Sequence, residues 1–93
     1  SSTRVMVTHF GEETLNSSLT LLSLLRKNEV SAEIYPDTAK IKKQFEYADR
    51  KGIPYVLIAG PEEIAQKTYL LKNMITGVQT PVTEDTLIST VND

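Results

Sequence analysis

Residues 40–60 read KIKKQFEYADRKGIPYVLIAG: an amphipathic helix, a stop and an apolar strand in direct succession. At about 100° per residue, Ile41, Phe45 and Ala48 fall on one stripe, which must face a core. Gly52 supplies the residue that ends such a helix most easily. Pro54 to Ala59 (PYVLIA) is then apolar at every position, as a strand covered on both faces is, with its proline tolerated at the first strand position. A helix feeding a fully apolar strand is the pattern of an α/β crossover.

The flanks extend the pattern. Upstream, Arg4 to His9 (RVMVTH) is a short β-branched strand, and Glu12-Glu13 open a helix with leucines 15, 19, 22 and 25 on one stripe, widened by Leu21 and Leu24. Ser31 to Tyr35 alternates and stops at Pro36, a strand with one face less covered. Asp37 or Thr38 can cap the following helix. Downstream, Gly60-Pro61 begins a short helical turn through Glu62, Glu63 and Ile64. Thr68 to Met74 and Val78 to Val82 form a hairpin around Thr76-Gly77, and Thr83 caps a last helix bearing Leu87, Ile88 and Val91. The order β-α-β-α-β-(short α)-β-β-α implies a three-layer α/β/α domain. Its mixed five-stranded sheet has three parallel strands with right-handed crossovers plus an antiparallel hairpin.

The helix in residues 40–51 carries a second signal. Lys40, Lys43, Gln44, Tyr47, Arg50 and Lys51 occupy one arc with no acid among them, while Lys42, Glu46 and Asp49 take the remaining side. Charges for phosphate, a flat ring and an amide for bases are the make-up of a nucleic-acid contact. A merely solvated face is the competing reading, but such a face mixes its signs.

The totals bound what else is possible. The 93 residues make one domain, 40% hydrophobic and 24% charged, which is globular rather than disordered. A net charge of −2 argues against a bulk polyanion binder, so any nucleic-acid contact must be local. No apolar run approaches the ~20 residues that span a bilayer. The absence of cysteine excludes disulfides and thiolate zinc sites and fits a reducing, cytoplasmic setting. The opening Ser-Ser-Thr-Arg, without an initiator methionine, is read as the start of a domain excised from a larger protein.

No catalytic constellation emerges. His9, the lone histidine, ends the first strand, but no triad spacing surrounds it, and one histidine without cysteine is a poor metal site. The turn from His9 to Glu13 has a single glycine where dinucleotide or phosphate loops need several, and Glu12 and Glu13 would repel a phosphate there. Glu62 and Glu63 are better explained as dipole partners of a helix start than as a catalytic pair. In the hairpin, Tyr69, Leu71 and Asn73 share one face, and Leu70, Lys72 and Met74 the other. Lys72, Asn73 and Gln79 are second-rank candidates because amides can read base edges.

KIKKQFEYADRKGIPYVLIAGPEEI followed by LKNMITGVQTPV resembles the C-terminal anticodon-binding domain of the histidyl-tRNA synthetases, and the resemblance extends over VMVTHFGEE, LLSLLRKNEVSAEIYP and the closing helix. The KKQFEYADRKGIPY run and the LKNM-x-TG-x-Q hairpin are specific to the histidyl branch. The strand-Gly-Pro-Glu pattern is shared more loosely with threonyl, prolyl and glycyl enzymes. Related chains commonly read Gly-Glu-x-Glu and Gly-Glu-Gln where this one has Gly60-Pro61-Glu62-Glu63 and Gly77-Val78-Gln79.

The resemblance implies a parent enzyme that activates histidine with ATP and magnesium and loads it onto histidine tRNA, usually as a cytoplasmic homodimer. The ATP, histidine and metal sites would lie in a catalytic domain of the same chain, none of them in this domain, which would contribute recognition of the anticodon stem-loop. On that expectation Lys40, Lys43, Arg50 and Lys51 hold phosphates, while Gln44, Tyr47, Asn73 and Gln79 meet splayed bases, with Lys72 beside them. Two other classes compete. A non-catalytic, synthetase-like interaction or regulatory module would share the fold. A small-molecule-binding flavodoxin-like domain is disfavoured by the missing phosphate loop and the acidic first turn.

Overall fold

The computed structural model describes residues 2–93. Its elements are β1 (Val5–Val7), α1 (Glu12–Lys27), β2 (Ala32–Ile34), α2 (Ile41–Lys51), β3 (Tyr55–Ile58), α3 (Pro61–Gln66), β4 (Tyr69–Asn73), β5 (Gln79–Val82) and α4 (Glu84–Asn92). The sheet runs β2-β1-β3-β4-β5, parallel across β2, β1 and β3 and antiparallel from β3 onward, as the pattern of crossovers and hairpin requires.

Strand periodicity divides the core in two. Val5, Val7, Leu57, Ala59, Tyr69, Leu71 and Val82 point to the face covered by α1, α3 and α4, where Leu21, Leu22, Leu25, Leu87 and Val91 pack. Met6, Val56 and Ile58 point to the opposite face and meet Ala48 of α2 and Ile53, with Ile41, Phe45, Tyr47, Leu70 and Met74 closing the edges. The central strand has no exposed side, hence its unbroken apolar run.

Two local expectations need correction. The buried stripe of α1 is centred on Thr14, Ser18, Leu21, Leu22 and Leu25, whereas Leu15 is half-buried and Leu19 is 42% exposed. Small hydroxyl residues win the inner positions because they answer backbone groups at close range: Ser18 Oγ donates to Thr8 O at 3.0 Å, and Thr14 Oγ1 accepts from Phe10 N–H at 3.2 Å. Second, neither Asp37 nor Thr38 caps α2. Asp37 Oδ1 accepts the N–H of Thr38 at 2.8 Å, a local turn that uses the carboxylate before the helix begins, and the N-cap falls on Lys40.

The other punctuation is as expected. Gly52 ends α2 in the left-handed region at φ 70°, and Gly77 turns the hairpin at φ 81°. Thr83 stands at the N-cap of α4, its N–H donating to Thr86 Oγ1 at 2.9 Å. Among the described residues no helix is long and apolar enough to cross a membrane.

Tyr69 gives the fold a pH signature. Burial, and after it the charge of Glu84, push its phenol above the ordinary value of 10.0. The native state therefore holds this proton more tightly than the unfolded chain. Its contribution is complete below about pH 10 and is lost as pH rises through the raised native value. Urea unfolding between pH 8 and 11 should show a steeper alkaline loss of stability for the native sequence than for Tyr69→Phe. Equal losses would contradict the assignment.

Candidate nucleic-acid interface

The chain leaving β1 turns toward β2, whereas the chain leaving β3 turns toward β4, so a crevice opens between their C-terminal ends. That crevice is an open, shallow cleft of about 530 Å³ lined by Phe10, Lys40, Ile41, Ile58, Gly60, Pro61 and Glu63. An aromatic ring and three aliphatic side chains make its walls, with one cation and one carboxylate among the lining groups. A flat heterocycle with polar edges fits that chemistry. A Cβ on Gly60 would stand 2.7 Å from Glu63 Oε1, the oxygen that accepts Gly60 N–H at 2.8 Å, so a side chain there would displace the Glu63 carboxylate. Glu63 is thus fixed by the backbone it closes over, as a helix-start carboxylate, and its second oxygen can accept from a ligand. A groove of similar size between α1 and α4 is lined by Asn16, Leu19, Thr20, Ser23, Leu24, Lys27 and Glu84 and offers no aromatic ring.

Beside the crevice lies the N-terminus of α2. The first turns of α1, α3 and α4 carry Glu12 and Glu13, Glu62 and Glu63, and Glu84 and Asp85, each complementing the helix dipole. The first turn of α2 carries no acid, no side chain caps it, and Lys40, Lys42 and Lys43 are exposed around it. Three cations at the positive end of a helix oppose its stability. The same placement attracts a phosphate.

The sequence candidates separate into groups. Lys40 and Lys43 belong to this basic helix start. Gln44 does not belong to the surface at all: it is 0% exposed, its Oε1 accepts His9 N–H at 3.0 Å, and its Nε2 donates to His9 O at 2.9 Å and Ala39 O at 2.8 Å. Both donors of the amide and one acceptor position are used and the side chain is buried, so the expectation that Gln44 meets a base is corrected. Tyr47 is half-buried, edge-on to Tyr35 with ring centres 5.3 Å apart and its hydroxyl donating to Glu33 Oε1 at 3.5 Å. Arg50 and Lys51 lie 5.8 and 5.6 Å from the same ring. A base stacking on Tyr47 would have to displace these cations.

The hairpin residues lie on the other flank of α2. Lys72 places its Nζ 3.8 Å from the ring centre of Phe45, and Gln79, paired with Lys72, projects from the same side of the sheet. Phe45 faces β4 and Tyr47 faces β2, so the helix separates Lys72 and Gln79 from Tyr47, Arg50 and Lys51. Asn73 shapes the turn: its Oδ1 accepts the N–H groups of Ile75 at 2.9 Å and Thr76 at 3.1 Å. The expected single surface of arc and hairpin is therefore not one surface.

Periodicity reasoning passed over Phe10, Ile41, Ile58 and Pro61 because each looks like core or turn. The available signal was topological, the strand ends where the order reverses. His9, singled out there for its chemistry, accepts Gly11 N–H on Nδ1 at 3.1 Å and shapes the turn. Among the described residues no group of three or more His, Cys, Asp or Glu side chains could hold a metal ion.

Known proteins share this sequence pattern and this fold. The family described as anticodon binding domain matches residues 4–93. A histidine–tRNA ligase of Cytophaga hutchinsonii is 44% identical over 87 residues, covering 94% of this chain and 19% of the relative. The corresponding ligase of Phocaeicola vulgatus is 43% identical over 89 residues, covering 96% and 20%. The chain therefore spans about a fifth of the length of the curated relatives it matches. Among solved structures, the histidyl-tRNA synthetase of Nostoc sp. PCC 7120 superposes with a TM-score of 0.94 at 25% identity over 99% of this chain and 22% of that one. The RNA binding domain of threonyl-tRNA synthetase from Cryptosporidium parvum Iowa II shares the fold, with a TM-score of 0.89 at 22% identity over 99% of this chain and 23% of that chain.

The electrostatics of α2 predict that Lys43→Glu, an acid at the third helical position, raises stability by about 0.3–1 kcal/mol at low salt. Urea denaturation checks it. An unchanged or lower stability would mean that the lysines do not oppose the helix.

Proposed function

This chain belongs to the anticodon-binding domain family, and from that premise we propose that it is the anticodon-recognition domain of a histidine–tRNA ligase. The observation that supports this most is the juxtaposition of an apolar, aromatic-walled cleft with an acid-free, lysine-bearing helix start. A splayed base enters the cleft, its face against Phe10 and its edge toward Glu63 or Lys40, while Lys40 and Lys43 hold the neighbouring phosphates. Arg50 and Lys51, at the far end of α2, extend the positive field along the stem.

The division of labour follows from chemistry. Phosphate contacts supply affinity that is independent of sequence and falls with salt; the cleft supplies discrimination. Activation of histidine with ATP and magnesium, and its transfer to histidine tRNA, would be carried out by the rest of a longer ligase, a cytoplasmic homodimer in which this domain binds the anticodon stem-loop.

Fluorescence-anisotropy titration with a stem-loop bearing a histidine anticodon, against the same hairpin with the anticodon scrambled, tests the reading. Tighter binding of the cognate loop is expected, and Phe10→Ala should cost about 1–3 kcal/mol for the cognate loop alone. Lys40→Ala with Lys43→Ala should weaken both loops alike and flatten the salt dependence. Equal affinity for the two loops would reduce the surface to a nonspecific basic patch. No binding at low salt would favour a protein-interaction module.

A further inference from the structure

β1 alternates its hydrogen bonds between its neighbours. Its even positions turn toward β3: Thr8 N–H donates to Leu57 O at 3.1 Å, and Arg4 O accepts from Tyr55 N–H at 3.2 Å, while Arg4 N–H, ahead of the strand, shares Ser31 O at 2.9 Å. Its odd positions serve β2: Val5 N–H donates to Ser31 O at 3.2 Å, and Val7 O accepts from Tyr35 N–H at 2.9 Å. The next odd residue is His9, and its partner strand is gone. At Pro36, which has no N–H, the chain turns away. Left alone, the N–H and C=O of His9 would lack ladder partners at the mouth of the cleft.

The Gln44 amide takes both bonds. A primary amide presents its oxygen and one N–H to the same side, so Oε1 and Nε2 can answer the N–H and C=O of one residue. A parallel ladder would pair these with the C=O and N–H flanking a single residue of the next strand; Gln44 thus stands in for the missing residue of β2. The remaining Nε2 hydrogen goes to Ala39 O, immediately before Lys40. One side chain thus ties the end of β1, the entry to α2 and α2 itself. The two ends it joins lead directly into residues that line the cleft, Phe10 after the end of β1 and Lys40 with Ile41 at the start of α2.

We infer that Gln44 is a positioning residue for base discrimination: it touches no ligand but sets the separation of the Phe10 and Lys40–Ile41 walls. This rests on the reading of the cleft as a base site. The isosteric Gln44→Glu keeps volume and acceptor but removes two donors and turns a carboxylate oxygen toward His9 O and Ala39 O.

The first test uses the unaltered protein and no RNA. By NMR, the Gln44 side-chain amide protons should exchange with solvent at least about tenfold more slowly than those of the exposed Gln66 and Gln79. Equal exchange would overturn the inference, whether or not any variant folds. The second compares loops: in Gln44→Glu, held well below its melting temperature, the preference for the cognate over the scrambled loop should fall by about tenfold while the salt slope, set by the lysines, is retained. Proportionate loss for both loops would reveal a merely structural side chain and overturn the positioning role. The failures are distinguishable: a wild-type domain with no loop preference sinks the anticodon reading, whereas a wild-type preference that survives Gln44→Glu sinks this inference alone.

Discussion

Everything in this domain is arranged around β1, a three-residue strand whose side chains, together with Thr8, are wholly inaccessible. A strand in that position must be apolar on both faces and hydrogen-bonded on both edges, because nothing polar there can reach water. Val5 and Val7 oblige α1, α3 and α4 to cover one face, and Met6 obliges α2 to cover the other. The edges are satisfied by β2 and β3 until the strand ends. There Thr8 Oγ1 accepts Ala59 N–H at 2.9 Å and holds β1 to β3, and Gln44 stands in for β2. The cleft is the opening left beyond those last bonds, where the chain departs in opposite directions.

The same constraint explains why the charge on α2 is distributed as it is. The inner stripe of the helix is committed to the core and Gln44 to the strand end, so only the outer surface and the first turn remain for function. Flanking aromatics are committed as well: Phe45 meets Lys72 of β4, and Tyr47 closes against Tyr35 and Glu33 near β2. The first turn keeps its lysines where the other three helices place acids. A feature that works against a helix and persists at the edge of a cleft is more readily understood as binding than as folding.

Much of the architecture was legible because it rests on local rules. Apolar runs at residues 54–59, the Gly52 stop and the Thr76-Gly77 turn each have one cheap conformational solution, and their order dictates the sheet. The stripe of α1 was misplaced because leucine is the stronger hydrophobic signal, yet close approach to the end of β1 and its turn favours Thr14 and Ser18, whose hydroxyls satisfy backbone groups. The site was legible only in its charge. Lys40 and Lys43 declare themselves in any helical projection. Gln44 misleads, since an amide that completes a ladder has the same letter as one that meets a base, and only the position of the missing strand partner tells them apart. Phe10, Ile41 and Pro61 become visible as a wall only once strand order is known.

The most direct test is chemical-shift mapping of the labelled domain against the cognate anticodon stem-loop at moderate salt. The account predicts cognate-specific shifts at Phe10, Gly60 and Glu63 and charge-dependent shifts at Lys40–Lys43, with Asn73 and Gln79 unmoved. Shifts centred on the hairpin, or on Tyr47 and Arg50 with the strand-end cleft silent, would contradict it.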